Sequence, residues 1–216
     1  MGEMIYPPEP WHLRGQMYVS VWSLPRAALP PLPDPLPAEV RPLTVAGRGF
    51  VGTAWVDYGP DGVLEYRELL SAVLVRRGGR PLVTIVDIWV DSPASRDGGR
   101  ELWGIPKELA TLDIHPAADA RSTTDPRPTT DARASGIAEA RLSSGPRLPG
   151  RWPTRFSVIQ ELGGRTRTTP VRSRAALQLG KAAWQVVGDG PLAYLAGREP
   201  FLTIALRDFD LQFGRR

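Results

Sequence analysis

The stretch SAVLVRRGGRPLVTIVDIWVDS (71–92) decides the fold class. Two runs rich in valine, isoleucine and leucine flank a Gly-Gly pair. β-branched residues suit the pleated strand, and a short glycine break between two such runs is a hairpin signal. The segment before it, GVLEYRELL (62–70), alternates only in its first half, so its period is ambiguous. Working outward, strand-like patterns recur in YVSVWSL (18–24), in RGFVGTAWVDYG (48–59) before the turn signal GPDG, and in ATLDIH (110–115). GIAEARLSS (136–144), RFSVIQEL (155–162) and PFLTIALRDFDLQFG (200–214) continue the series. One segment reads as a helix, the Ala- and Leu-rich RSRAALQLGKAAWQVVG (172–188), and ASRDGGRELWGIPKEL (94–109) reads as a loop with a short helical turn. The expected class is therefore mainly β (β-rich α+β), a barrel or packed antiparallel sheets with one or two helices.

The chain has 216 residues, which suits a single domain over 1–216 with a sizeable core. Its 22 glycines and 23 prolines favour many turns and short strands. PRAALPPLPDPLPAEV (25–40) is expected to drape over the core, although its LPPLP could offer a polyproline II face to a partner. PAADARSTTDPRPTTDARAS (116–135) reads as a flexible insertion between strands. No internal repeat is evident. The pI is about 9.8, but the formal charge is only +4 and the arginines are dispersed. The densest basic runs carry no interleaved aromatics, which argues against nucleic acid. There is no cysteine, which excludes disulfides and thiolate metal sites. The start MGEMIYPPEPWHL has no basic region followed by an apolar run, and no apolar stretch approaches a membrane span. A soluble cytoplasmic protein is expected.

Of the 27 basic residues only two are lysines, Lys107 and Lys181. Lys107 sits in GRELWGIPKEL (99–109), beside Leu102, Trp103, Ile105, Pro106 and Leu109. Arginine replaces lysine at most surfaces, but it stays protonated and cannot form a Schiff base. An ordinary lysine is almost wholly ammonium at neutral pH. Bringing it to half-neutral there costs about 4.6 kcal/mol, which burial or a cationic neighbour can supply. A lysine snorkelling from an apolar wall, with no chemistry, is the plain alternative. Other motifs are absent. There is no phosphate-binding glycine loop, and the two histidines, His12 and His115, make no metal-ligand pair.

The stretch GRELWGIPKELA resembles the acetoacetate decarboxylase-like family, whose members carry a GRE…PK motif with a Schiff-base lysine after the proline. Lys107 stands at that position. HLRG (12–15) lies where the family has a pocket arginine, here Arg14. EYRE (65–68) lies where it has a catalytic glutamate, here Glu68. The closing DFDL strand also fits. The resemblance implies an antiparallel, barrel- or cone-like fold and a homo-oligomer. It implies a lyase that acts on a small oxo-acid without cofactor or metal. Lys107 would attack the ketone, Arg14 would hold the substrate carboxylate, and Glu68 would move protons. Trp103 and Tyr66 would line the pocket, and Arg100 and Glu101 would hold the lysine loop. Two departures stand out. Glu108 follows the lysine where the decarboxylase has a second lysine, and Val51 aligns with a position where it has a carboxylate. These keep open an aldolase or dehydratase using the same lysine, and two further alternatives stand beside it, a non-catalytic small-molecule binder on the same fold and a partner-binding protein using residues 25–40.

Overall fold

The computed structural model describes residues 6–117 and 128–215. The strands are β1 (Trp11–Pro25), β2 (Val40–Pro42), β3 (Thr44–Val45), β4 (Arg48–Tyr58), β5 (Tyr66–Arg77) and β6 (Arg80–Val90). Helix α1 (Pro93–Trp103) follows, then β7 (Lys107–Leu109), β8 (Leu112–Pro116), β9 (Thr129–Ala134), β10 (Ala138–Arg147), β11 (Trp152–Leu162), β12 (Arg165–Val186) and β13 (Leu202–Phe213). The chain is mostly strand, as its alternating patterns require. No helix among the described residues is long and apolar enough to cross a membrane.

The strand order β6-β5-β4-β1-β13-β12-β11 runs around a cavity. It comes back on itself through a single parallel pairing, Val158 to Val83, so the barrel is only partly closed. The 71–92 hairpin is present. Arg77 pairs with Arg80 across Gly78-Gly79, and Gly78 has φ 58°, a conformation that costs glycine little. β12 is long enough to serve two sheets. Its first half pairs with β11 and β13, and its second half leaves the barrel to pair with β10, beyond which lie β9 and β8. This side sheet covers the outer face of the barrel. Tyr18, Trp55, Leu69 and Trp89 meet Leu112, Ala138 and Leu142 there.

Two expectations are corrected. Residues 172–188 are strand, not helix, up to Val186. Helix propensity is a weak prior, and here β10, β11 and β13 all offer backbone partners to this segment. The expected insertion at 116–135 is ordered where it is described at its C-terminal side, since Thr129–Ala134 is a strand paired on both edges. Residues 118–127 lie outside the described residues. The proline-rich segment turns Leu29, Leu32 and Leu36 onto the cluster built by Trp22, Val51, Val73 and Ile159. Its apolar side chains are spent on the core.

Candidate active site

Helix α1 and β7 bring the lysine to the barrel. Ser92 caps the helix, its Oγ accepting from the Ser95 N–H at 3.3 Å, and Pro93 sits in the first turn, where its missing N–H is harmless. Gly104 ends the helix in the left-handed region at φ 67°. A Cβ there would lie 1.8 Å from the Glu161 carbonyl oxygen. The chain then reverses into β7, which lies parallel to β6 with Lys107 opposite Ile88. Strand alternation points Lys107 inward and Glu108 outward. Lys107 is buried at 4% exposure, whereas the Glu108 side chain is exposed and paired with Arg100. Arg100 also donates from Nε to the Lys107 carbonyl at 2.6 Å. Glu101 accepts from the Tyr6 hydroxyl at 2.6 Å.

Two adjacent glycines of the same helix make the approach possible. A Cβ on Gly99 would fall 2.7 Å from Lys107 Cδ, and one on Gly98 would fall 2.5 Å from the Trp11 ring. Ser95, Gly99 and Trp103 recur at four-residue spacing, so they share one helix face, which is buried. That face is the bed on which the lysine lies.

The lysine ammonium is held by three oxygens. Nζ donates to Glu68 Oε2 at 2.8 Å, to Ser95 Oγ at 2.9 Å and to the Tyr66 hydroxyl at 3.4 Å. Glu68 is itself buried at 2% exposure, and its other oxygen accepts from the Tyr58 hydroxyl at 3.1 Å. Tyr58 and Tyr66 stack with ring centroids 4.4 Å apart. Burial is the largest single influence and opposes the charged lysine, but Glu68 and Tyr66 together outweigh it, and the ammonium is held above its ordinary lysine range. Burial and the Glu68 charge push the Tyr66 phenol up to about 12, even with Lys107 nearby. The same two causes also raise Tyr58 well above the ordinary phenol range. Both phenols therefore remain protonated donors at neutral pH.

Lys107, Glu68, Tyr58 and Tyr66 sit on the wall of a cavity of about 440 Å³. Trp103 and Tyr66 line it, as do Trp11, Leu13 and Met17. Arg14 is not brought to it. On β1 the odd residues Trp11 and Leu13 face in, so Arg14 faces out, exposed and 3.5 Å from Asp210 on the neighbouring strand. Val51 is fully buried in the cluster with Trp22 and Val73, away from the cavity wall. Its neighbour Gly52 faces the cavity instead. Ser95, Tyr58 and the glycine pair 98–99 were not singled out from sequence. The four-residue recurrence before the lysine was the signal available for the helix face. Among the described residues, no three His, Asp or Glu side chains converge as a metal site would need.

The acetoacetate decarboxylase family model matches residues 3–186, most of the chain, and this range includes Lys107, Glu68, Ser95, Tyr58 and Tyr66. The chain belongs to the acetoacetate decarboxylase family. The fold agrees. An acetoacetate decarboxylase from Legionella pneumophila superposes with a TM-score of 0.67 at 17% identity, covering 97% of this chain and 87% of that one. The enduracididine biosynthesis enzyme MppR superposes at 0.64 with 16% identity, covering 98% and 88%. An acetoacetate decarboxylase-like enzyme from Sphingomonas wittichii RW1 gives 0.63 at 14% identity, covering 97% and 92%. No curated protein sequence matches the chain.

Proposed function

We propose that this family member is a Schiff-base lyase that decarboxylates a β-keto acid, with Lys107 as nucleophile and Glu68 as the proton-transfer group. The observation that carries the reading is the buried Lys107–Glu68 pair on the wall of a large apolar cavity. A buried ion pair is a poor device for stability, since apolar residues of the same volume serve as well or better. Its place beside an open cavity is explained by chemistry.

In the resting pair the amine holds the proton. One transfer across 2.8 Å to Glu68 yields a neutral amine and a neutral acid. Substrate entry expels water, and in the drier site the neutral pair costs less than two charges. The amine attacks the ketone carbon to give a carbinolamine. Glu68 returns its proton to the hydroxyl, which leaves as water, and an iminium remains beside the restored carboxylate. The bond to the substrate carboxylate then breaks, its electron pair moves to the iminium nitrogen, and carbon dioxide and a neutral enamine result. One proton from solvent, delivered through Glu68 to the enamine carbon, and one water at the iminium carbon release the ketone and restore the resting ammonium.

Borohydride reduction in the presence of 3-oxo acids tests this reading. The expected result is a mass increment on Lys107, lost in Lys107→Arg, together with carbon dioxide release by the wild type alone. An adduct on Lys107 without carbon dioxide release would favour an aldolase or dehydratase using the same lysine. Ligand binding retained in Lys107→Arg, with no adduct in the wild type, would make the protein a non-catalytic binder.

A further inference from the structure

The cavity is far larger than a four-carbon keto acid requires. Its volume of about 440 Å³ lies in the range of ~300–1,000 Å³ found for drug-sized ligands. Polar groups gather around Lys107 in the set Tyr58, Tyr66, Glu68 and Ser95. Away from them the walls are mainly aliphatic and aromatic, with Val19, Leu70, Val83, Phe156, Leu177 and Leu206 present, and Thr53, Thr154 and Ser173 are the neutral polar exceptions among the described residues. Among the described residues no arginine or histidine lines the cavity, and the one cation there, Lys107, is already matched by Glu68. A second carboxylate or a phosphate on the substrate would enter without a cation to pair with, which is costly in a largely apolar site.

Part of this volume is made by small residues on two adjacent strands. Gly52 and Ala54 of β4 and Ala72 of β5 all face the cavity, and Gly52 pairs directly with Ala72. Glycine weakens a strand interior, so its presence needs a reason. A Cβ built on Gly52 meets no atom within 4 Å, so the missing side chain leaves open space and relieves no clash.

On the reading that Lys107 forms the Schiff base, we infer that the substrate is a carbonyl compound with a bulky apolar extension. Its ketone is presented to Lys107, it carries no charged group beyond the carboxylate next to the reacting carbons, and its alkyl or aryl tail lies against the wall made by Gly52, Ala54 and Ala72. These three residues set the accepted size. The covalent step is iminium formation, ketone plus Lys107 ammonium giving iminium plus water, and it needs no other reactant.

The test uses the full chain with 3-oxobutanoate, 3-oxohexanoate, 3-oxooctanoate and 3-oxo-3-phenylpropanoate. Borohydride trapping on Lys107 and kcat/KM for carbon dioxide release are read for each. The inference expects both to rise with tail size, by about fourfold per added methylene until the cavity is full. Gly52→Leu should lower the ratio of kcat/KM for 3-oxooctanoate over 3-oxobutanoate by tenfold or more, and Ala72→Val should lower it in the same direction, with unfolding midpoints confirming the fold. Trapping on Lys107 that is flat or falling with tail size, or a ratio unmoved in both folded variants, overturns the size assignment and leaves the nucleophile standing. No adduct on Lys107 with any of the four acids removes the Schiff-base reading and this inference with it.

Discussion

Replacing Glu68 by glutamine separates the two forces on Lys107. Burial pushes the ammonium toward neutrality, and the carboxylate 2.8 Å away pulls it back. At an effective dielectric of about 20, a pair at that distance is worth about 6 kcal/mol. Glutamine keeps the shape and one hydrogen-bonding oxygen but removes the charge. The Tyr66 contribution remains but the largest force opposing burial is gone, so the lysine of Glu68→Gln should titrate below that of the wild type, which is held above the ordinary lysine range. The sequence makes the measurement simple. With only two lysines, ¹³Cε-lysine labelling gives two NMR signals, and Lys107→Arg assigns them, leaving exposed Lys181 as internal reference. The wild-type Lys107 signal should stay in its ammonium position to about pH 10, the usual lysine range. The Glu68→Gln signal should move well before that. Turnover should nevertheless fall by about 10²–10⁴-fold, the usual contribution of a positioned proton-transfer group. A variant signal that still holds its ammonium position to about pH 10 would refute the electrostatic account of the site.

Stability should follow the same pair with a defined sign. The folded ammonium is raised above its unfolded value, so its contribution is complete below the ordinary lysine range and is lost as pH rises through the folded value. Denaturant midpoints should therefore fall more steeply on the alkaline side in the wild type than in Lys107→Met. Gly99→Ala should displace the lysine chain, because its Cβ would lie 2.7 Å from Lys107 Cδ. A fall in kcat of about 10²-fold with the fold retained is the expected reading of such a misplacement. Gly104→Ala should lower the thermal midpoint by more than about 4 °C, from the left-handed strain and the overlap with Glu161 together. Arg14→Ala should leave kcat/KM within about twofold, because the Arg14 side chain is exposed and pairs with Asp210 outside the cavity. A larger loss would return Arg14 to substrate binding.

Much of the fold was legible because a half-buried strand writes its faces into alternate residues. The final strand follows that rule, and the hairpin at 71–92 was legible from two β-branched runs around a Gly-Gly break. Arg14 obeyed it too. It sits at an even position of a strand whose odd positions, Trp11 and Leu13, are buried, and its placement by order along the chain ignored that alternation. The 172–186 segment was misread because alanine and leucine favour a helix locally, and local preference is small beside three strands that need its backbone.

The sequence by itself determined the β class, and it marked Lys107 through an almost lysine-free composition and the GRE…PK motif. It also named Glu68 and Tyr66 by position. Only the tertiary structure decided that Glu68, 39 residues away, meets the lysine at 2.8 Å and keeps it charged at rest. It alone showed that Gly99 makes room for the lysine, and that the space before it is large and mostly apolar. The physical reason is common to all three. Residue types and faces are local properties of a chain, whereas a pair distance, a cavity and the balance of burial against charge arise only when distant strands close around one another.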